Sequence, residues 1–208
     1  MITYIQKRDN LYLNKLHKNM LKLPEICYDF FIGIEQYTSP LTRYNYSNDL
    51  YIFFDYISKN LLFKDIKSIN FDDLMKIKAI DIEYYLSYLS SYEINGKQHL
   101  NNEKGKARKL AAIKKFFKYN YNKDNLPNDV SSKVATPKLH IKPIVRLESD
   151  EVAKLITEAE TPDHLSKRQQ AYNQHTKNRD VAILSLFLGT GIRVSECVGI
   201  NLSDLDLN

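Results

Sequence analysis

The chain reads as a mainly α-helical protein. Apolar residues recur at three- and four-residue steps over long stretches, and helix-capping residues stand where those stretches begin. Only six glycines occur in 208 residues, and no Asn-Gly or Asp-Gly is read as standing between alternating runs, which argues against an all-β fold. With 43% hydrophobic and 26% charged residues the chain should bury a core and not be disordered. No apolar run approaches the roughly 20 residues a membrane span needs. The first residues, from Met1 to Lys18, lack the apolar stretch of a secretory signal. Two cysteines, Cys27 and Cys197, cannot make a disulfide framework, which suits a reducing cytoplasm.

Taken in order, residues 23–34 form a segment expected to pack across later helices. Ser39-Pro40 opens a helix, because Ser39 can cap free amides and Pro40 suits the first helical position. Tyr46, Leu50, Phe53, Phe54 and Ile57 give that helix an apolar stripe. A further helix is expected over Ile80 to Tyr92, with Ile82, Tyr85, Leu86 and Leu89 on one side. No internal repeat is visible.

The net charge of +5 is the sum of unequal parts. Residues 1–22 carry +4, residues 23–94 carry −5, residues 95–146 carry +10 and residues 147–208 carry −4. A quarter of the chain therefore holds twice the net charge of the whole. Such a block favours a polyanion, because each phosphate it neutralises releases condensed counterions. The competing explanation is a solvated lysine-rich surface.

The helix expected over Asn102 to Tyr121 weighs against that competitor. At 100° per residue Leu110, Ile113 and Phe117 share an arc of about 60°. Lys104, Arg108, Ala111, Lys115 and Lys118 share an arc of about 80° on the opposite side. A solvated helix normally mixes lysine with glutamate at four-residue spacing, and here only Glu103 is acidic. The small Ala111 lets the basic strip lie close to its partner. From Asn122 to Ser149 the chain reads as a basic linker containing Pro127, Pro137 and Pro143, with Lys133, Lys138, Lys142 and Arg146. A new helix begins near Ser149, where Asp150 and Glu151 suit its dipole. Polar residues 161–178 read as a loop or a frayed helix, and the apolar run Val181 to Leu188 follows, ending in Gly189-Thr190-Gly191-Ile192-Arg193.

A dinucleotide-binding turn would need a third glycine where Val194 stands, and the Lys-Ser/Thr of a phosphate-binding Walker loop is missing. Instead, Arg179-Asp180, then Thr190-Gly191-Ile192-Arg193-Val194-Ser195-Glu196, then Asp204-Leu205-Asp206, resembles the first catalytic motif of the tyrosine recombinases, the phage-integrase and Xer-type family. Thr42, Tyr46, Asp49, Leu50 and Phe53 are similar to the second helix of that family's core-binding domain. Residues 108–119 are similar to its fourth helix. Pro137-Lys138 and Leu147 to Glu151 are similar to the linker and first catalytic-domain helix. The resemblance runs from about residue 24 to the end.

It implies a four- to five-helix SAM-like core-binding bundle over residues 1–124, a basic linker over 125–148, and over 149–208 the first helices of an incomplete α+β catalytic domain. It implies site-specific DNA recombination or integration through a 3′-phosphotyrosine, as in mobile elements and phages, with no cofactor and no metal. Arg193 would stabilise the attacked phosphate and Glu196 would support Arg193, whereas an ordinary surface ion pair is the plainer explanation. Phosphate contacts would come from Arg43, Tyr44, Lys104, Arg108, Lys115, Lys118, Lys138 and Lys142. Duplex DNA and further recombinase protomers, as a tetramer on paired sites, are the implied partners, with no membrane. The histidines (His17, His99, His140, His164, His175) show no metal-ligand spacing.

The departure from the family pattern is large. It calls for a catalytic lysine, a His-x-x-Arg helix and a nucleophilic tyrosine after Asp206. No His-x-x-Arg occurs, and all fifteen tyrosines precede Arg193, so the resemblance assigns the nucleophile to no residue here. The 208 residues are expected to bind DNA without cutting it. The alternative is a non-catalytic DNA-binding protein, a truncated recombinase-like regulator.

Overall fold

The computed structural model describes residues 3–94, 96–139, 143 and 145–206. It is mainly α-helical and divides into two compact units, Met1–His140 and Ile141–Asn208.

In the first unit, α1 (Tyr4–Met20) is capped by Thr3, whose side chain accepts from the Gln6 amide, and packs along α3 (Pro40–Ile57). Ser39 caps α3 by accepting from the Thr42 amide, with Pro40 at the first helical position, as the sequence predicts. Between them α2 (Tyr28–Gly33) sends Phe30 and Phe31 into the core. The short α4 (Phe71–Met75) and α5 (Ala79–Tyr88) add Leu74, Ile82 and Tyr85 to the core, and α6 (Glu103–Asn122) packs mainly on α3. Leu50, Phe53, Phe54 and Ile57 of α3 are fully buried, and so are Leu110, Ile113, Phe116 and Phe117 of α6. Edge-to-face rings join the helices: Phe116 lies 5.4 Å from Phe30 and 5.7 Å from Phe54 between centroids. The buried side of α6 is wider than its sequence stripe, because Lys109, Ala112 and Asn120 are also buried.

Two expectations need correction. The helix predicted to reach Tyr92 ends at Tyr88, and a hairpin follows: β1 (Ser91–Ile94) pairs antiparallel with β2 (Lys97–Leu100). The sequence does hold an Asn-Gly at residues 95–96. Gly96 takes a φ of +72°, and Tyr92 stacks on His99 across the strands at 5.3 Å. The flanks alternate too poorly for periodicity to mark them, and the cross-strand ring pair does the work instead. The stretch read as linker from residue 125 is also partly packed. Leu126 and Val134 are buried, and a short helical turn over Val130–Lys133 contacts α6 and α5.

The second unit begins with α7 (Ser149–Glu160), where the Glu148 amide donates to the Glu151 carboxylate. The polar stretch after it resolves into a loop and then the start of α8 (Lys167–Thr190), capped by Ser166, which carries on through the apolar run as one 24-residue helix. A short α9 (Val194–Cys197) follows. No described residue of this unit is buried, and so short a unit has a high ratio of surface to volume.

Candidate nucleic-acid interface

The basic strip of α6 is realised as a surface. Lys104, Arg108, Ala111, Lys115 and Lys118 are all exposed, while the opposite side of the same helix is core. Asn102 fixes the helix start by accepting from the Gly105 amide. Lys104, Lys115 and Lys118 pair with no carboxylate among the described residues. Lys115 holds its ammonium 5.1 Å from the centre of the Tyr37 ring. Beside it a cleft of about 410 Å³ is lined by Tyr37, Lys115, Lys118, Tyr119 and Lys123. Tyr37 and Lys123 escape sequence reasoning because neither falls on the strip.

Arg108 differs from its neighbours. Its Nη1 donates to Oδ2 of Asp49, a residue 59 positions away on α3 whose side chain is 1% exposed, while Arg108 itself is 51% exposed. Burial pushes the Asp49 carboxyl above the ordinary aspartate value, and the charges of Arg108 and Lys109 oppose that. Burial likewise pushes the Lys109 ammonium down, with Asp49 opposing.

The two residues at the start of α3, Arg43 and Tyr44, face partners other than the α6 strip. Arg43 is turned inward, 8% exposed, and its Nη1 donates to Glu35 at 2.6 Å. Its partner Glu35 is 56% exposed, so the pair lies at the surface with the guanidinium folded beneath the carboxylate. Tyr44 lies on the α1 side, with its ring 5.8 Å from that of Tyr12 and Lys15 beside both. Neither joins the α6 strip. Lys138 is exposed, and Lys142 lies outside the described residues.

In the second unit, α8 ends on Gly191 in the left-handed conformation, φ +66°. The Thr190 hydroxyl donates to the Leu186 carbonyl and accepts from the Ile192 amide, tying the turn on both sides. Arg193 then stands at the head of α9. Its backbone amide and its Nη1 both donate to the Glu196 carboxylate, at 2.9 and 3.0 Å. Those donors hold Glu196 below the ordinary glutamate value, the backbone amide first and the guanidinium second. The Arg193 side chain is 81% exposed, so the guanidinium is tethered at one nitrogen and otherwise presented to solvent. No cluster of three or more His, Cys, Asp or Glu side chains suited to a metal ion occurs among the described residues.

The chain is 29% identical over 197 residues to tyrosine recombinase XerC of Caldanaerobacter subterraneus subsp. tengcongensis, covering 89% of this chain and 50% of that protein. It is 28% identical over 178 residues to XerC of Pelotomaculum thermopropionicum, covering 86% of this chain and 51% of that one. It is also 30% identical over 163 residues to tyrosine recombinase XerS of Streptococcus agalactiae, with 69% and 46% covered. The chain thus spans about half the length of the curated relatives it matches. No protein-family model matches it, and no solved structure gives a significant match. Relatives aligned over most of these 208 residues, together with the motif that heads α9, lead to one conclusion: the chain belongs to the tyrosine recombinase family.

Proposed function

We propose that these 208 residues are the duplex-gripping part of a site-specific DNA recombinase, with residues 1–124 as core-binding domain, 125–148 as basic linker and 149–208 as the start of the catalytic domain. The observation that carries the reading is the exposed strip Lys104, Arg108, Lys115 and Lys118, backed by a fully packed core on the same helix. Contacts of this kind position a duplex and are indifferent to its sequence. In the sequence, Lys138 and Lys142 belong to the same basic block, residues 95–146.

In the complete reaction a tyrosine hydroxyl attacks a DNA phosphorus, the bond to the 5′ oxygen breaks, and a 3′-phosphotyrosine and a free 5′-hydroxyl result. Negative charge grows on the non-bridging oxygens as that happens. A guanidinium meets it well, being always charged and able to bind two oxygens at once. Arg193 is the group for this task, and Glu196 holds its rotamer from one turn along α9. All fifteen tyrosines precede Arg193, so in this reading the 208 residues bind DNA and do not cleave it. Recombination itself engages further protomers on paired sites.

The test is a salt titration of the 208-residue chain on duplex DNA of arbitrary sequence. With about six phosphates neutralised, log K should fall against log salt with a slope of about −5. A slope near zero, or no binding at low salt, overturns the proposal.

A further inference from the structure

We infer that Asp49 is a positioning residue for nucleic-acid contact: it aims the Arg108 guanidinium along the basic strip. The inference rests on the DNA-binding reading above and assigns a task within it. Asp49 is 1% exposed and lies on α3, whereas Arg108 is 51% exposed and lies on α6. One nitrogen of a rigid, planar fork is therefore fixed from the inside while the outer edge faces solvent between Lys104 and Lys115. Oδ1 of Asp49 has no hydrogen-bond partner among the described residues, so Arg108 is the anchor this carboxylate has.

The neighbouring cation is tied off separately. Lys109 is buried and donates to Oδ1 of Asn101 at 3.0 Å, and Asn101 in turn donates to the Leu89 carbonyl at 3.2 Å. A Cβ at Gly105 would come within 2.7 Å of that Asn101 oxygen, so glycine keeps the place open. Of the two adjacent cations, then, Lys109 is locked into the fold and Arg108 is held outward. An arginine so held loses less freedom on meeting a phosphate than the unpaired lysines beside it, which is what pre-organisation of a contact requires.

The charge bookkeeping makes the idea testable by sign. Asp49→Asn removes a negative charge from beneath a polyanion-binding strip. If Asp49 served only to neutralise Arg108, the variant would bind duplex DNA more tightly, with a salt slope steeper by about one. If Asp49 aims Arg108, the variant binds roughly tenfold more weakly, the size of one lost charge-assisted contact. In an Arg108→Ala background the same change should then have little further effect. Binding by D49N equal to or tighter than that of the parent overturns the inference. Urea unfolding of each variant checks folding. Should D49N not fold, Arg108→Lys decides: it keeps the charge but loses the planar fork, and unchanged affinity with unchanged stability overturns the inference equally. Failure of the parent chain to bind any duplex sinks the DNA reading itself, and is seen before any variant is made.

Discussion

Tyr119 of α6 lies directly on Gly33, the last residue of α2: a Cβ on that glycine would sit 2.3 Å from the tyrosine hydroxyl oxygen. The contact is stitched by the Tyr119 hydroxyl donating to the Asp29 carbonyl at 2.9 Å, and the Tyr119 ring meets Phe30 edge-on at 5.5 Å. A glycine is used here for closeness of approach, not for backbone freedom.

Gly33→Ala should therefore destabilise the first unit by about 1–3 kcal/mol through overpacking. Shortening the opposing ring to Leu in a Tyr119→Leu background should remove most of that penalty, whereas Tyr119→Phe alone should cost only about 1 kcal/mol for the lost hydrogen bond. Urea unfolding of the single and double variants measures this. An additive double variant would show that the two residues do not clash.

Arg43 and the α6 strip should separate cleanly by assay. Arg43→Ala removes a buried ion-paired side chain and should cost about 1–3 kcal/mol of stability while leaving the salt slope of DNA binding unchanged. Lys104→Ala, Lys115→Ala and Lys118→Ala combined should leave the core intact and flatten the slope by about 2 to 3, weakening binding to all sequences alike. Unfolding curves and salt titrations of the two variants, side by side, check both halves.

Asp73 and Asp49 should give opposite pH dependences. The Lys64 ammonium first of all, with the Asn70 amide and Lys76, holds Asp73 below the ordinary aspartate value. Its stabilising contribution is complete above the unfolded-state value of about 3.9 and is lost as pH falls through the depressed folded value. Asp49 is raised by burial, so its contribution is complete below about 3.9 and declines as pH rises through the elevated folded value. Stability measured against pH for Asp73→Asn and Asp49→Asn should thus differ from the parent with opposite slopes in the acid range.

The turn before Arg193 depends on two residues with different jobs. Gly191→Ala places a Cβ on a φ of +66° and should cost about 1 kcal/mol locally. Thr190→Val removes both the hydroxyl that donates to Leu186 and the acceptor used by Ile192. Hydrogen exchange at the amides of Ile192, Arg193 and Glu196 should speed up in both variants, while α6 in the first unit is unaffected.

Much of this protein was legible from its residues alone, wherever the deciding interaction is local. Ser39 caps α3 because its oxygen needs only the amide three positions on. The two sides of α6 follow from 100° per residue. The ten-charge excess in residues 95–146 and the motif around Arg193 likewise need no coordinates. The Asn-Gly at residues 95–96 was a usable hairpin signal that weak alternation in its flanks obscured.

Tertiary structure decided what those surfaces meet. Arg43 and Arg108 are both arginines beside an apolar stripe, yet one turns in to Glu35 and the other is held outward by Asp49. Periodicity gives a side chain's direction about its own helix axis, not which helix will lie there. That choice is made by the collective packing of Phe30, Phe53, Phe54, Phe116 and Phe117, which fixes how α3 and α6 cross. Only then do residues 59 positions apart become an ion pair, and only then does Gly33 acquire a tyrosine to make room for.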